Sequence, residues 1–230
     1  MASPQSLRDL LLVALALTTG ATDATAFERL GHVFASVITG NIILVGVSAV
    51  RGDGTLALLA ATALVAYAIG VALGAPRPGR TNEQDFVWPS AVTWALIAEG
   101  VLLVVFAIGW ELAPRQPDTE TQALLLAAAA AAMGMQSTAI RRLDGISTTY
   151  LTSTLTGVVE ALATLRWPGG QSRSIGILAM AVAGAAVATE VVAAAPNWLP
   201  AVQLVPLVMV VAVARRLQGI QADGDRSATP

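Results

Sequence analysis

Long apolar blocks separated by short polar connections fill this chain. A helix that spans a bilayer needs about 20 mostly apolar residues. On that measure eight segments are predicted, at Leu7–Phe27, Val33–Val50, Thr55–Gly74, Trp88–Trp110, Thr121–Ile140, Ser147–Leu165, Ser174–Ala195 and Trp198–Ala214. Segments one, two, five and six are the most polar, so any of them is a candidate for a broken or re-entrant element. The predicted fold is all-α: a polytopic transmembrane helix bundle of six to eight spans. Arg8, followed by the apolar run Leu10–Leu17, has the outline of a signal peptide. The further apolar runs favour a first membrane helix instead.

The longest polar connection, APRPGRTNEQDF (Ala75–Phe86), is rich in Pro, Gly and charge and reads as an exposed loop. PRQPDTE (Pro114–Glu120) divides the chain near its middle, and the polar stretch Gln218–Pro230 reads as a disordered cytoplasmic tail. The two halves echo each other. In GATDATAFERLGHVFASVITG and GMQSTAIRRLDGISTTYLTSTLTG, Gly20 meets Gly134 and Gly31 meets Gly145 at a spacing of 114. Thr39-Gly40 meets Thr156-Gly157 at 117. LVAYAIG (Leu64–Gly70) meets LAMAVAG (Leu178–Gly184), again at 114, and Trp94 and Glu99 share their spacing with Trp198 and Gln203. Two tandem units are expected, residues 1–114 and 115–217, each with about four hydrophobic segments. An even number of spans per unit makes such repeats parallel, whereas three spans make them inverted.

Composition narrows the class. Of 230 residues, 55% are hydrophobic and only 12% charged, where soluble domains carry about 25% charged. Too few polar residues remain to cover a soluble surface, so the chain is an integral membrane protein. The net charge of −2 leaves no basic patch for nucleic acid. Cysteine is absent, which removes disulfides, thiol catalysis and Cys-ligated metals. With a single histidine besides, no soft-metal site and no cofactor are expected. All 13 basic residues are arginines. With eight spans and a cytoplasmic N-terminus, eight of them fall inside and five outside, which favours both termini in the cytoplasm.

Candidate site residues follow from what a bilayer penalises. Gly and Thr beside a helix end free backbone groups, which must find partners or line a cavity. Discontinuous helices of this kind build transporter sites. Thr18-Thr19-Gly20, Thr39-Gly40-Asn41 and Thr156-Gly157 are therefore candidate site elements; the same residue types also serve close helix packing. An ionisable group at the centre of a membrane helix costs about 2.5–3.5 kcal/mol on insertion scales. Glu99, between WALIA and GVLLVVF, is the sharpest such case, with Asp23, Glu160 and Glu190 behind it. Each reads as a proton or cation site, or as half of a structural ion pair. Arg141-Arg142, close to Asp144, offer either an anion or lipid-headgroup contact or an ordinary solvated loop. No P-loop, GxSxG, HExxH or dinucleotide fingerprint is present, so no catalytic residue is assigned.

The two polar stretches resemble a known family. Gly20, Asp23, Ala24, Phe34 and Thr39-Gly40-Asn41, with Gly134-Met135-Gln136, Arg141, Thr148-Thr149 and Thr156-Gly157, match the paired motifs of the YoaK-like bacterial membrane proteins, domain of unknown function 1275. Ser137 departs from the pattern, which has an Asn after the Gln. The resemblance covers nearly the whole chain. It implies a multi-pass protein of the bacterial cytoplasmic membrane with about six spans, and no established substrate. The function expected is a small-solute or ion transporter. Its substrate site would draw on Asp23, Thr39, Gly40, Asn41, Glu99, Gln136, Arg141, Thr149, Thr156, Gly157 and Glu160. The alternative is a non-catalytic scaffold, accessory subunit or lipid-binding protein. The expected partners are the lipid bilayer, an unidentified solute or ion and, at this chain length, a second copy in a homodimer.

Overall fold

The computed structural model of the chain describes residues 4–75, 88–144, 151–165 and 171–228. Among these described residues eight α-helices form: α1 (Pro4–Arg29), α2 (Ile38–Arg51), α3 (Gly54–Gly74), α4 (Ser90–Leu112), α5 (Thr119–Asp144), α6 (Leu151–Ala163), α7 (Gln171–Ala194) and α8 (Leu199–Ala228). Six of them are long and apolar enough to cross a membrane. The protein is a multi-pass membrane bundle. The predicted segments Val33–Val50 and Ser147–Leu165 become the short helices α2 and α6, of 14 and 13 residues. At 1.5 Å per residue each is about 20 Å long, short of the bilayer core. The expected loop Ala75–Phe86 lies almost wholly outside the described residues. At the C-terminal end, α8 continues past Gln218 to Ala228, where the composition suggested disorder. The Gln218 amide donates to Thr93 Oγ1 at 3.0 Å and ties this stretch to α4.

Local chemistry sets the helix ends. Gly52 closes α2 in the left-handed conformation, and Asp53 caps α3 by accepting from the Leu56 amide. Asp118 does the same for α5 by accepting from the Thr121 amide. Hydrogen bonding by the Thr121 side chain and amide holds the Asp118 carboxyl below the usual carboxylate range.

Contacts between helix ends give the direction of each span. The starts of α1 and α7 meet at an ion pair, Arg173 to Asp9 at 3.1 Å. The ends of α3 and α5 meet where Arg142 donates to the Gly74 carbonyl at 2.7 Å. On the opposite face Arg29, at the end of α1, donates to the Arg115 carbonyl after α4, and Trp110 donates to Pro196 before α8 at 2.9 Å. Spans α1, α4 and α7 therefore run one way, and α3, α5 and α8 the other. This topology sorts the arginines among the described residues by face: Arg29, Arg51 and Arg115 belong to the second face, and Arg8, Arg141, Arg142, Arg173, Arg215, Arg216 and Arg226 to the face that holds the start of α1 and the end of α8.

The tightest packing is glycine against backbone. A Cβ on Gly20 would stand 2.9 Å from Ala181 Cα and closer still to its carbonyl oxygen, and one on Gly184 would stand 2.9 Å from Leu17 C. These contacts join α1 to α7. In α3 and α5, a Cβ on Gly134 would stand 2.9 Å from Val71 N and closer to the Tyr67 oxygen, and one on Gly70 would meet Ala131. Leu17, Gly20, Tyr67 and Gly70 correspond, 114 positions further on, to Ala131, Gly134, Ala181 and Gly184, so the contacts Leu17–Gly184 and Gly20–Ala181 recur as Ala131–Gly70 and Gly134–Tyr67.

Candidate functional site

The chain breaks after α1 because Gly31 and His32 both take positive φ, 93° and 58°. For His32 that conformation is strained, and its ring is held edge-on to Phe27, with centroids 5.3 Å apart. Beyond the break the backbone turns back along α1. Ser36 reaches the level of Asp23, six residues before the helix end, which is about 9 Å in from it. Helix α2 then leads out to α3. Residues 30–37 and α2 form a re-entrant element.

Two sequence-predicted residues hold this element. Asp23 accepts from the Ser36 amide at 2.7 Å and from the Ser36 hydroxyl at 2.5 Å. Asn41 bonds Phe34 on both sides, accepting from its amide at 3.0 Å and donating to its carbonyl at 2.6 Å. Irregular backbone at membrane depth needs such partners, so both side chains stand in for a missing helical ladder. Asp23→Ala removes an acceptor from two buried donors, each costing about 1–3 kcal/mol when left unsatisfied. The expected result is a lower melting temperature in detergent and faster trypsin cleavage after Arg29.

A second polar group lies where α1 crosses α5. The Thr19 hydroxyl donates to Gln136 Oε1 at 2.7 Å, and Gln136 Nε2 reaches the Leu15 carbonyl at 3.5 Å. Around the same helix Thr18 donates to the Gln203 carbonyl of α8 at 3.2 Å, and Gln203 Nε2 lies 3.5 Å from Thr25 Oγ1. Thr22 and Thr25 also bond back to the carbonyls of Thr18 and Ala21, as threonines in membrane helices do. All of these side chains are buried.

Glu99 is buried completely in the middle of α4, and among the described residues neither carboxyl oxygen has a hydrogen-bond partner. Its depth follows from the packing of α4 on antiparallel α5. Gly109 meets Leu125; ten residues back along α4 and ten on along α5, Glu99 comes level with Met135 and Gln136.

The other candidates are placed apart from these groups. Thr39, Arg141, Thr156 and Glu160 are exposed, and Gly40 and Gly157 are partly so. Gly40 packs against Phe34 and Val37, and Thr156 bonds back to Thr152 in α6. Thr149 lies outside the described residues. Of the eleven positions, Asp23 and Asn41 share the re-entrant element, and Gln136 and Glu99 share the central layer. Four polar participants had no assigned role: Thr22, Thr25, Ser36 and Gln203. The signal for Gln203 was present, as the only strongly polar residue in LPAVQLVPLVMVV. The cluster contains no group of three metal-ligating side chains among the described residues.

Residues 11–214 match the family model described as Protein of unknown function (DUF1275). Among curated proteins the chain is similar to UPF0700 transmembrane protein YoaK of Bacillus subtilis (strain 168), with 35% identity over 158 residues, 68% of each chain. No solved structure matches.

Proposed function

The chain belongs to the DUF1275 family of membrane proteins of unknown function, and we propose that it is a small-solute or ion transporter that works by alternating access. One observation carries this reading. The glycine contacts of α1 on α7 recur 114 residues on, in α5 on α3, while α1 and α5 run in opposite directions. That is the pattern of an inverted-topology repeat with three spans and one re-entrant helix per unit, residues 1–114 and 115–217. In such repeats the site lies at the interface between units near the midplane, and rocking of one part against the other exposes it to each side in turn. Here that interface is the α1–α5 crossing, lined by Thr18, Thr19, Gln136 and Gln203, with Glu99 at the same depth in the neighbouring α4. Each tight glycine pair joins a helix of one unit to a helix of the other, so the moving bodies are the pairs α1/α7 and α3/α5.

Seven arginines against three among the described residues support a cytoplasmic position for the face with the start of α1 and the end of α8, by the positive-inside rule. We assign the protein to the bacterial cytoplasmic membrane on that basis.

The absence of native cysteine makes the test direct. Ser137→Cys and Thr22→Cys each replace a buried hydroxyl at the crossing with a thiol. A membrane-impermeant thiosulfonate is expected to label both variants in right-side-out and in everted vesicles. Labelling from neither face overturns the reading and favours a scaffold.

A further inference from the structure

Glu99 is a buried group that nothing in the packing requires. It sits in α4 between α5 and α8, fully buried, and neither carboxyl oxygen is bonded to a described residue. The stretches at its depth carry no charge. Gly100 lies 3.6 Å from Leu207 by the Cβ measure, which sets α8 beside Glu99 at residues 204–211, LVPLVMVV. On α5 the same depth holds AAAMGMQSTAI, residues 130–140. Neither stretch contains a titratable residue. The nearest charges on these helices are Arg141 and Arg142 at the end of α5, and Arg215 and Arg216, about two turns further along α8.

The other unit explains why Glu99 has no partner. Glu99 follows Trp94 by five residues, and Gln203 follows Trp198 by five. Gln203 lies against α1, beside Thr18 and Thr25. The positions 114 further on, which α5 offers to α4, are Ala132 and Ala139, both buried and both without a polar side chain. The glutamine therefore has hydroxyls beside it at positions where the other unit carries alanines. Pro206 in α8 adds a second local feature: having no N–H, it leaves the Val202 carbonyl without its helical donor.

We propose that Glu99 is the proton-binding site of this protein: a single carboxylate that takes up one proton, COO⁻ plus H⁺ giving COOH, and releases it when α4 is opened to water. The proposal rests on the transport reading for its use, as the coupling step, but not for its chemistry. An isolated ionised carboxylate in an apolar layer is costly, and neutralisation removes the cost. An alkali cation would need several oxygens at once; the Gln136 Oε1 at this depth already accepts from Thr19, and no described residue is bonded to the Glu99 carboxyl. One proton is taken up, not two, because the equivalent position in the second unit is Gln203, which does not titrate.

Dicyclohexylcarbodiimide, a lipid-soluble reagent that attacks protonated carboxyl groups, tests this on the intact protein in liposomes. Peptide mass analysis is expected to find the adduct on Glu99, and E99Q is expected to lose that adduct alone. Labelling should fall about tenfold per pH unit once ionisation sets in, the slope of a single proton, and should not change with sodium at fixed pH. Protection by sodium would overturn the assignment in favour of an alkali-cation site. An adduct confined to other carboxyls, or labelling independent of pH, would overturn it outright. If the reagent labels Glu99 with the expected pH dependence while Ser137→Cys and Thr22→Cys stay unlabelled from both faces, protonation stands and only the transport reading falls.

Discussion

Gly20→Ala is expected to lower the melting temperature of the purified protein sharply, and Gly134→Ala to do the same. In both cases the added methyl group meets backbone, the Ala181 and Tyr67 carbonyls respectively. Backbone cannot rotate aside as the tip of a side chain can. Overpacking of a tight interior usually costs about 1–3 kcal/mol, and a collision with a carbonyl in a helix–helix seam belongs at the upper end. The seam itself is held by close approach, since apolar burial does not draw helices together in lipid. Gly46 and Gly157 provide the controls. Both are inside helices, and a Cβ at either would meet nothing within 4 Å. Alanine there is expected to be neutral or to stabilise by about 0.5–1 kcal/mol, from the lower backbone entropy it loses. Thermal unfolding in detergent, run on all four variants, separates the two classes. Equal effects at Gly20 and Gly46 would mean that the seam is not tightly packed.

Glu99→Leu is expected to raise stability and abolish function together. The substitution removes a buried polar group with no partner among the described residues, which costs roughly 1–3 kcal/mol, and fills the same space with hydrocarbon. A gain of that order in unfolding free energy is the expected result, with loss of the carbodiimide adduct and of any proton-coupled flux. A residue whose removal stabilises the fold is not there for the fold, and such trade-offs mark functional positions. Destabilisation by more than about 1 kcal/mol would instead show that Glu99 has a structural partner. Glu99→Gln keeps the shape and polarity, so its stability should stay close to that of the native chain while proton binding is lost.

Much of the architecture was legible in the order of apolar and polar residues. A block of 20 apolar residues such as Gly54–Gly74 has one stable solution in lipid, because only a helix satisfies its own backbone. The membrane class follows from that constraint; of the four weak segments one, two, five and six, only two and six became short helices, and one and five are full-length. The spacing of 114 was also visible, as was the oddity of Glu99 inside WALIAEGVLLVVF. These are local or periodic properties, and local energetics decides them.

What the residues contact was decided only by the tertiary structure. Asp23 and Asn41 looked like ligands for a solute, yet they bond Ser36 and Phe34, because a turn of positive φ at Gly31 and His32 sends the chain back along α1. Thr156 and Glu160 sit in a comparable motif but face outward. The sorting of arginines also changed once α2 and α6 stopped counting as spans: Arg51 and Arg115 left the face of the α1 start, and Arg141 and Arg142 joined it. Whether a polar group in a membrane protein is a cap, a packing contact or a site depends on which helix faces it. That pairing is set by backbone approach at Gly20, Gly70, Gly134 and Gly184, between residues more than 60 positions apart in the chain, and no window along the sequence contains both sides of it.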